Sequence, residues 1–206
     1  MMIDASKIYE IYRKSVKDWH LNQKRMPSPF PSNRIKSQFY EKNQIDCGQW
    51  HLEDDIRAPE IYGDAVKRLK QDIDQHNQDR TNLVEKIDDY YMEKYRKVPL
   101  KKNATLNTET PAWALDRLSI LALKIYHMEE EASRETADSA HREICTQKLS
   151  ILLEQKKDLV LSINQLFDEY QAGKKHIKVY RQMKMYNDPN LNPVLYKKTA
   201  QKKIKN

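Results

Sequence analysis

The stretch WALDRLSILALKIYH, residues 113–127, decides the fold class. Projected at 100° per residue, Leu115, Leu118, Ile120, Leu121, Leu123, Ile125 and the adjoining Met128 surround the helix axis on every side. A helix with no wet face lies at the centre of a bundle or in a membrane. The most apolar window, residues 118–123, is far too short to cross a bilayer, so the central position in a bundle is expected.

Working outward, residues 112–172 contain neither Gly nor Pro. They read as two helices divided near SRETADS (133–139), where Asp138 or Ser139 would cap the second. Gly173 is the natural stop for that helix. KVPLKKNATLNTETP (97–111) has no period and reads as a connector. Before it, a helix over about 65–95 carries Val66, Leu69, Ile73, Val84, Ile87 and Tyr91 on one face. A helix over about 35–57 ends before Ala58-Pro59, because the residue preceding Pro resists the α region. PSPFPSN (27–33) forms an extended break. The first helix, from residue 3 to about 24, aligns Ala5, Ile8, Tyr12, Val16 and Trp19. The expected architecture is all-α: a bundle of about five helices over 1–173, followed by a basic tail over 174–206 in which 176–186 could add a helical turn or two.

Composition agrees. Among 206 residues, 39% hydrophobic and 33% charged with only three Gly suits a helix-rich domain better than a sandwich or barrel. Cys47 and Cys145 lie far apart and no Cys-x-x-Cys occurs, which argues against a zinc-finger site or a disulfide framework. Lys7, Glu10 and Arg13 interrupt any secretion signal, so a cytoplasmic protein without a transmembrane segment is expected. The net charge of +7 is uneven: the tail from Lys174 carries +9 and the remaining chain −2. Tyr180, Tyr186 and Tyr196 are interleaved with its lysines, as stacking on nucleic acid would require, but the body offers no basic face to continue such a path.

The chemistry-bearing residues stand where apolar ones belong. In NQIDCGQWHLEDDIR (43–57), Asn43, Asp46, Trp50, Glu53 and Arg57 fall in an arc of roughly 80° on a helix. Arg80 sits at the middle of the third helix's apolar arc, with His76 and Asn77 beside it and Asp88 at the edge. A buried guanidinium cannot neutralise itself and requires carboxylates, which Asp46 and Glu53 could supply. On the central helix, Asp116 and His127 share one direction within about 20°, while Arg117 and Lys124 form a second polar line. The set fixes helix register, or forms the polar wall of a site, or on the second helix is simply a stripe turned to solvent. As a site, Arg80 with Arg57 or Arg117 would bind an anion, Glu53 or Asp116 would act as general base, and His127 would be acid or orienter.

Other patterns are weaker. No Glu-x-x-His occurs, which counts against a di-iron bundle. His51 with Asp55 reads as a surface pair opposite the stripe. The acidic run 129–131 resembles half of the magnesium-binding carboxylate cluster of all-α nucleotide pyrophosphohydrolases, and no matching second half follows. No phosphate-cradling Gly loop and no nucleophile elbow is present.

Four segments in order, QWHLEDDIR (49–57), NQDRTNLVEKID (77–88), NTETPAWALDRLSILALKIYH (107–127) and VYRQMKMYNDPNLNPVLY (179–196), resemble a bacterial family of about this length, mainly from the Bacteroidetes, known only as a domain of unknown function. The resemblance names no catalytic residue and leaves any cofactor unknown. It associates the protein with glycosyltransferases of cell-envelope polysaccharide synthesis, and so with a phosphorylated or nucleotide-sugar ligand. The alternative is an interaction protein without chemistry, whose tail docks a glycosyltransferase, another protein partner or RNA.

Overall fold

The computed structural model describes residues 3–185, 188 and 190–194. Its helices are α1 (Ala5–Asn22), α2 (Arg34–Asp55), α3 (Asp64–Tyr95), α4 (Pro111–Ser133) and α5 (Ser139–Gln171). Four begin with a side-chain cap on the backbone: Asp4 on Lys7, Asn33 on Lys36, Thr110 on Trp113 and Asp138 on His141. Of the two candidate caps for α5, Asp138 is the one used. Pro111 follows Thr110 in the first turn of α4, where its missing N–H has no intrahelical role.

As the all-round apolar pattern requires, α4 is central and touches the other four helices. Leu115, Leu118 and Leu123 are fully enclosed with Tyr12, Phe39, Ile87, Tyr91, Ile163 and Phe167. The expected face of α1 is buried along its whole length. That of α3 closes only from Ile73 onward, since Val66 is exposed and Leu69 half-buried.

Helix directions follow from the pairs. Ser15 Oγ donates to the Tyr40 carbonyl, Gln44 Nε2 donates to the Ser15 carbonyl, and His20 meets His51, so residue numbers rise together and α1 runs parallel to α2. Lys42 meets Asp116 and Asn43 meets Ser119, while Trp50 stacks on His127, so α4 is parallel to both. The pairs Gln49–Asn77 and Asp46–Arg80 set α3 antiparallel. Glu131–His141 does the same for α5 against α4.

Joining parallel neighbours α1 and α2 demands a return path about as long as α1, whose 18 residues span about 27 Å. The proline-rich segment supplies it in extended form. Met26 N–H donates to Gln44 Oε1 at 2.7 Å, and Phe30 lies edge-on to Tyr40, so the segment runs back down α2.

Residues 176–185 form no helix and no strand. Ile177 packs on the core, Arg181 pairs with Glu85 and Asp89 on α3, and Lys184 Nζ donates to the Asn77 carbonyl and Thr81 Oγ1. Met183 faces outward at 83% exposure. Tyr186, Tyr196 and Lys197, Lys198, Lys202, Lys203 and Lys205 lie outside the described residues. No described helix is long and apolar enough to cross a membrane.

Candidate functional site

The polar stripe of α2 passes from core to surface along the helix. Asn43 and Asp46 are buried, Trp50 and Glu53 half-buried, and Arg57 exposed. Where the stripe is buried, α4 and α3 close over it with a charge quartet. Lys42 Nζ donates to Asp46 Oδ2 at 2.5 Å and lies 2.7 Å from Asp116 Oδ1. Arg80 grips Asp116 with two donors, Nε to Oδ1 at 2.8 Å and Nη2 to Oδ2, and lies 3.6 Å from Asp46. Ser119 Oγ donates to Asp46 at 2.6 Å, and Asn43 Nδ2 in turn donates to Ser119 Oγ at 2.9 Å.

Two cations and two carboxylates make the quartet formally neutral, which is the condition for burying it. Burial tends to raise both carboxyls. At Asp116 the opposing charges of Lys42 and Arg80 win and hold it below the usual carboxylate range. At Asp46 burial wins over Lys42 and pushes the carboxyl up, with the Asp116 charge adding to the rise. The side chains of Lys42, Asp46 and Asp116 are 1–5% exposed, whereas that of Arg80 is 24% exposed. Arg80 is therefore the member that reaches water.

It reaches water in a cleft of about 330 Å³ between α2, α3 and α4. One side of the cleft is apolar, formed by Trp50, Ile120 and Leu123; Glu53, Asp54, Arg57 and Arg80 supply the polar groups. The Trp50 ring is backed by His127, stacked at 4.9 Å and 15°. Glu53 and Arg57 pair with each other at 3.1 Å on the rim. Of the expected set, then, Asp46, Trp50, Glu53, Arg57 and Arg80 line the cleft. Asn43 lies in the buried network, Asp116 joins that network to the second cleft on its other side, and Asn77 accepts from Gln49 at the first cleft's wall.

The other expected members separate. Arg117 turns away and pairs with Glu109, facing a second cleft of about 480 Å³ lined by Trp113, Lys178 and Tyr180. Asp88 caps α4 from α3, its carboxylate accepting from Thr110 Oγ1 at 2.7 Å and from Ala112 N at 3.1 Å. His127 stands eleven residues beyond Asp116, about 16 Å along the axis, so the two cannot share a proton. Asp116 is already held by Lys42 and Arg80, which makes it a poor general base.

Burial pushes the Asp88 carboxyl up to about 6, against the lowering effect of its two hydrogen bonds. Its folded pKa thus exceeds that of an unfolded aspartate, about 3.9. The resulting stabilisation is fully present below about pH 4 and is lost as pH rises through about 6. Asp88→Asn imitates the protonated form. Wild type should therefore gain on this variant as pH falls from 7 to 4.5, in thermal midpoints measured side by side.

Lys42, and the meeting of His51 with His20 and His127, do not emerge from the sequence. Lys42 and Asp46 form an i,i+4 pair, ordinarily a surface signal, and only the neighbouring Phe39, Tyr40 and Ile45 hint that it is buried. His51, expected at the surface with Asp55, is half-buried; it stacks on Trp19 at 4.2 Å and meets His20 and His127. No local spacing could reveal that meeting, since each ring comes from a different helix.

The fold and the site together define an all-α bundle carrying a half-apolar, half-charged cleft above a neutral quartet of buried charges. The sequence profile of the family described as "Protein of unknown function (DUF4254)" matches residues 36–179, and the chain belongs to that family. The match spans α2 to α5, and so includes the quartet and the cleft. No curated protein and no solved structure matches the chain.

Proposed function

We infer that the cleft between α2, α3 and α4 binds a phosphorylated sugar or nucleotide sugar. The observation that carries this reading is Arg80: a guanidinium held by two buried aspartates, opening onto a cleft that an aromatic ring, Trp50, also lines. The apolar face of a sugar or a base would lie on Trp50, with Ile120 and Leu123 beneath it. Phosphate would meet Arg80 and Arg57, and Glu53 and Asp54 would accept from hydroxyls. The cleft volume lies at the small end of small-molecule sites, which suits a monosaccharide phosphate or one half of a nucleotide sugar. Such a ligand fits cell-envelope polysaccharide synthesis, the setting suggested by the family resemblance. Partner docking through the basic tail has less support, because Arg181 and Lys184 are engaged on α3.

Calorimetric titration of the full chain with hexose 1-phosphates and nucleotide sugars tests this. One of the two classes should bind saturably at one equivalent. Arg57→Ala, a change at an exposed position, should weaken it about tenfold or more, the usual loss for a hydrogen bond to a charged group. Absence of saturable binding by both classes, or binding indifferent to Arg57 and Trp50, would refute the assignment.

A further inference from the structure

Beyond the cleft, and independently of it, we propose that His20, His51 and His127 form a binding site for a divalent transition-metal ion of the zinc class. One ring nitrogen from each lies within 4.8 Å of the others. The His20 and His51 Nε2 atoms are 3.2 Å apart. Two nitrogens bound at 2.0–2.1 Å in a tetrahedral shell are separated by about 3.3 Å, so this edge already has the required length.

The outer partners fix the tautomers. His20 Nδ1 faces the Val16 carbonyl at 2.8 Å, and a carbonyl can only accept. His20 Nδ1 therefore carries the proton, and Nε2 presents a lone pair. His127 Nδ1 lies 3.0 Å from the Glu130 carboxylate, which imposes the same tautomer. Two lone pairs thus share one cluster with His51. A proton on His51 Nε2 satisfies the His20 nitrogen, but His127 Nε2 is buried with no hydrogen-bond partner. An unpartnered buried acceptor is costly, and a cation bound by all three nitrogens removes that cost.

The surroundings have the form of a metal site. Glu130 to His127 and Val16 to His20 are the carboxylate–imidazole and carbonyl–imidazole contacts that orient metal-bound histidines. Trp19 stacked on His51 and Trp50 stacked on His127 hold two of the rings in plane. His20 stands in the last turn of α1, where carbonyl dipoles favour positive charge. Three protein nitrogens leave a fourth position for water or another ligand.

The second cluster, Glu131, His141 and Cys145, is a weaker candidate because Arg134 already holds the same Glu131 oxygen as His141. It serves as the internal control.

The test is titration of tag-free full-length protein with Co²⁺ and Zn²⁺ at neutral pH, followed by visible absorption, tryptophan fluorescence and competition with a chromophoric chelator. One equivalent should bind. His51→Gln and His127→Gln should each abolish the site, and Glu130→Gln should weaken it about 10- to 100-fold. His141→Gln and Cys145→Ser should bind as wild type does. X-ray absorption of the loaded wild-type protein keeps the test independent of how the variants fold. It should show nitrogen donors near 2.0 Å, at least three of them imidazole, with no sulfur at about 2.3 Å. Failure to bind, sulfur in the shell, or affinity that follows His141 and Cys145 instead would overturn the proposal.

Discussion

Asp116→Asn should destabilise the protein by about 3–5 kcal/mol, whereas Glu53→Gln should change stability by less than about 0.5 kcal/mol. Both substitutions delete one negative charge with almost no change in shape. They differ in what they leave behind. Asp116 receives two donors from Arg80 and lies against Lys42 with only 4% of its side chain exposed, so its loss leaves two cations sharing Asp46 alone. Glu53 pairs with Arg57 on the rim, where water replaces the lost contact. For a chain of this size the Asp116→Asn loss corresponds to a fall in thermal midpoint on the order of 10 °C. Lys42→Met combined with Asp116→Leu should recover much of it, because removing an opposed pair leaves no orphaned charge. A double-mutant cycle on thermal midpoints would read that coupling directly. Equal, small losses for Asp116→Asn and Glu53→Gln would mean that the quartet does not bind α2, α3 and α4 together.

Gly173→Ala is the second large effect, on the order of 3 kcal/mol. Gly173 has φ +65°, and a Cβ there would lie 2.2 Å from the Pro99 carbonyl oxygen, a backbone atom that cannot swing away. Around this close approach, Lys101 N donates to the Gly173 carbonyl, Thr105 N to that of Lys174, and His176 N to that of Thr105. Together they pin the connector between α3 and α4 to the segment leaving α5. The variant should therefore lose stability and also become open to proteolysis within residues 97–110. Wild-type protease resistance in Gly173→Ala would show that the contact is dispensable.

Much of the bundle was legible because its signals are local. The apolar surround of α4, the cap at Asp138 and the stop at Gly173 each follow from neighbouring residues, and the helix limits agree to within about two positions. The site was legible in part, for a geometric reason. Helical periodicity reports the direction in which a side chain points, not its depth along the axis. Asn43 and Arg57 share one arc, yet the first is enclosed by α4 and the last stands in water. Asp116 and His127 likewise share a direction but occupy different neighbourhoods. Lys42 was hidden by the ambiguity of an i,i+4 pair, which looks the same on a surface as in a core. The histidine cluster was invisible because His20 and His51 are 31 positions apart and His127 lies on a third helix.

The chain's three tryptophans offer the most direct test of the central claim, that the cleft above the quartet is a ligand site. Trp50 lines that cleft, Trp113 the second one, and Trp19 the histidine cluster. Their indole N–H signals in a ¹H–¹⁵N spectrum, assigned by single Trp→Phe changes, can be followed during titration with the sugar phosphate or nucleotide sugar. The account predicts a saturable shift of the Trp50 signal, weakened in Arg57→Ala, while the Trp113 signal stays in place. A saturable shift confined to Trp113, or none at all, would contradict it.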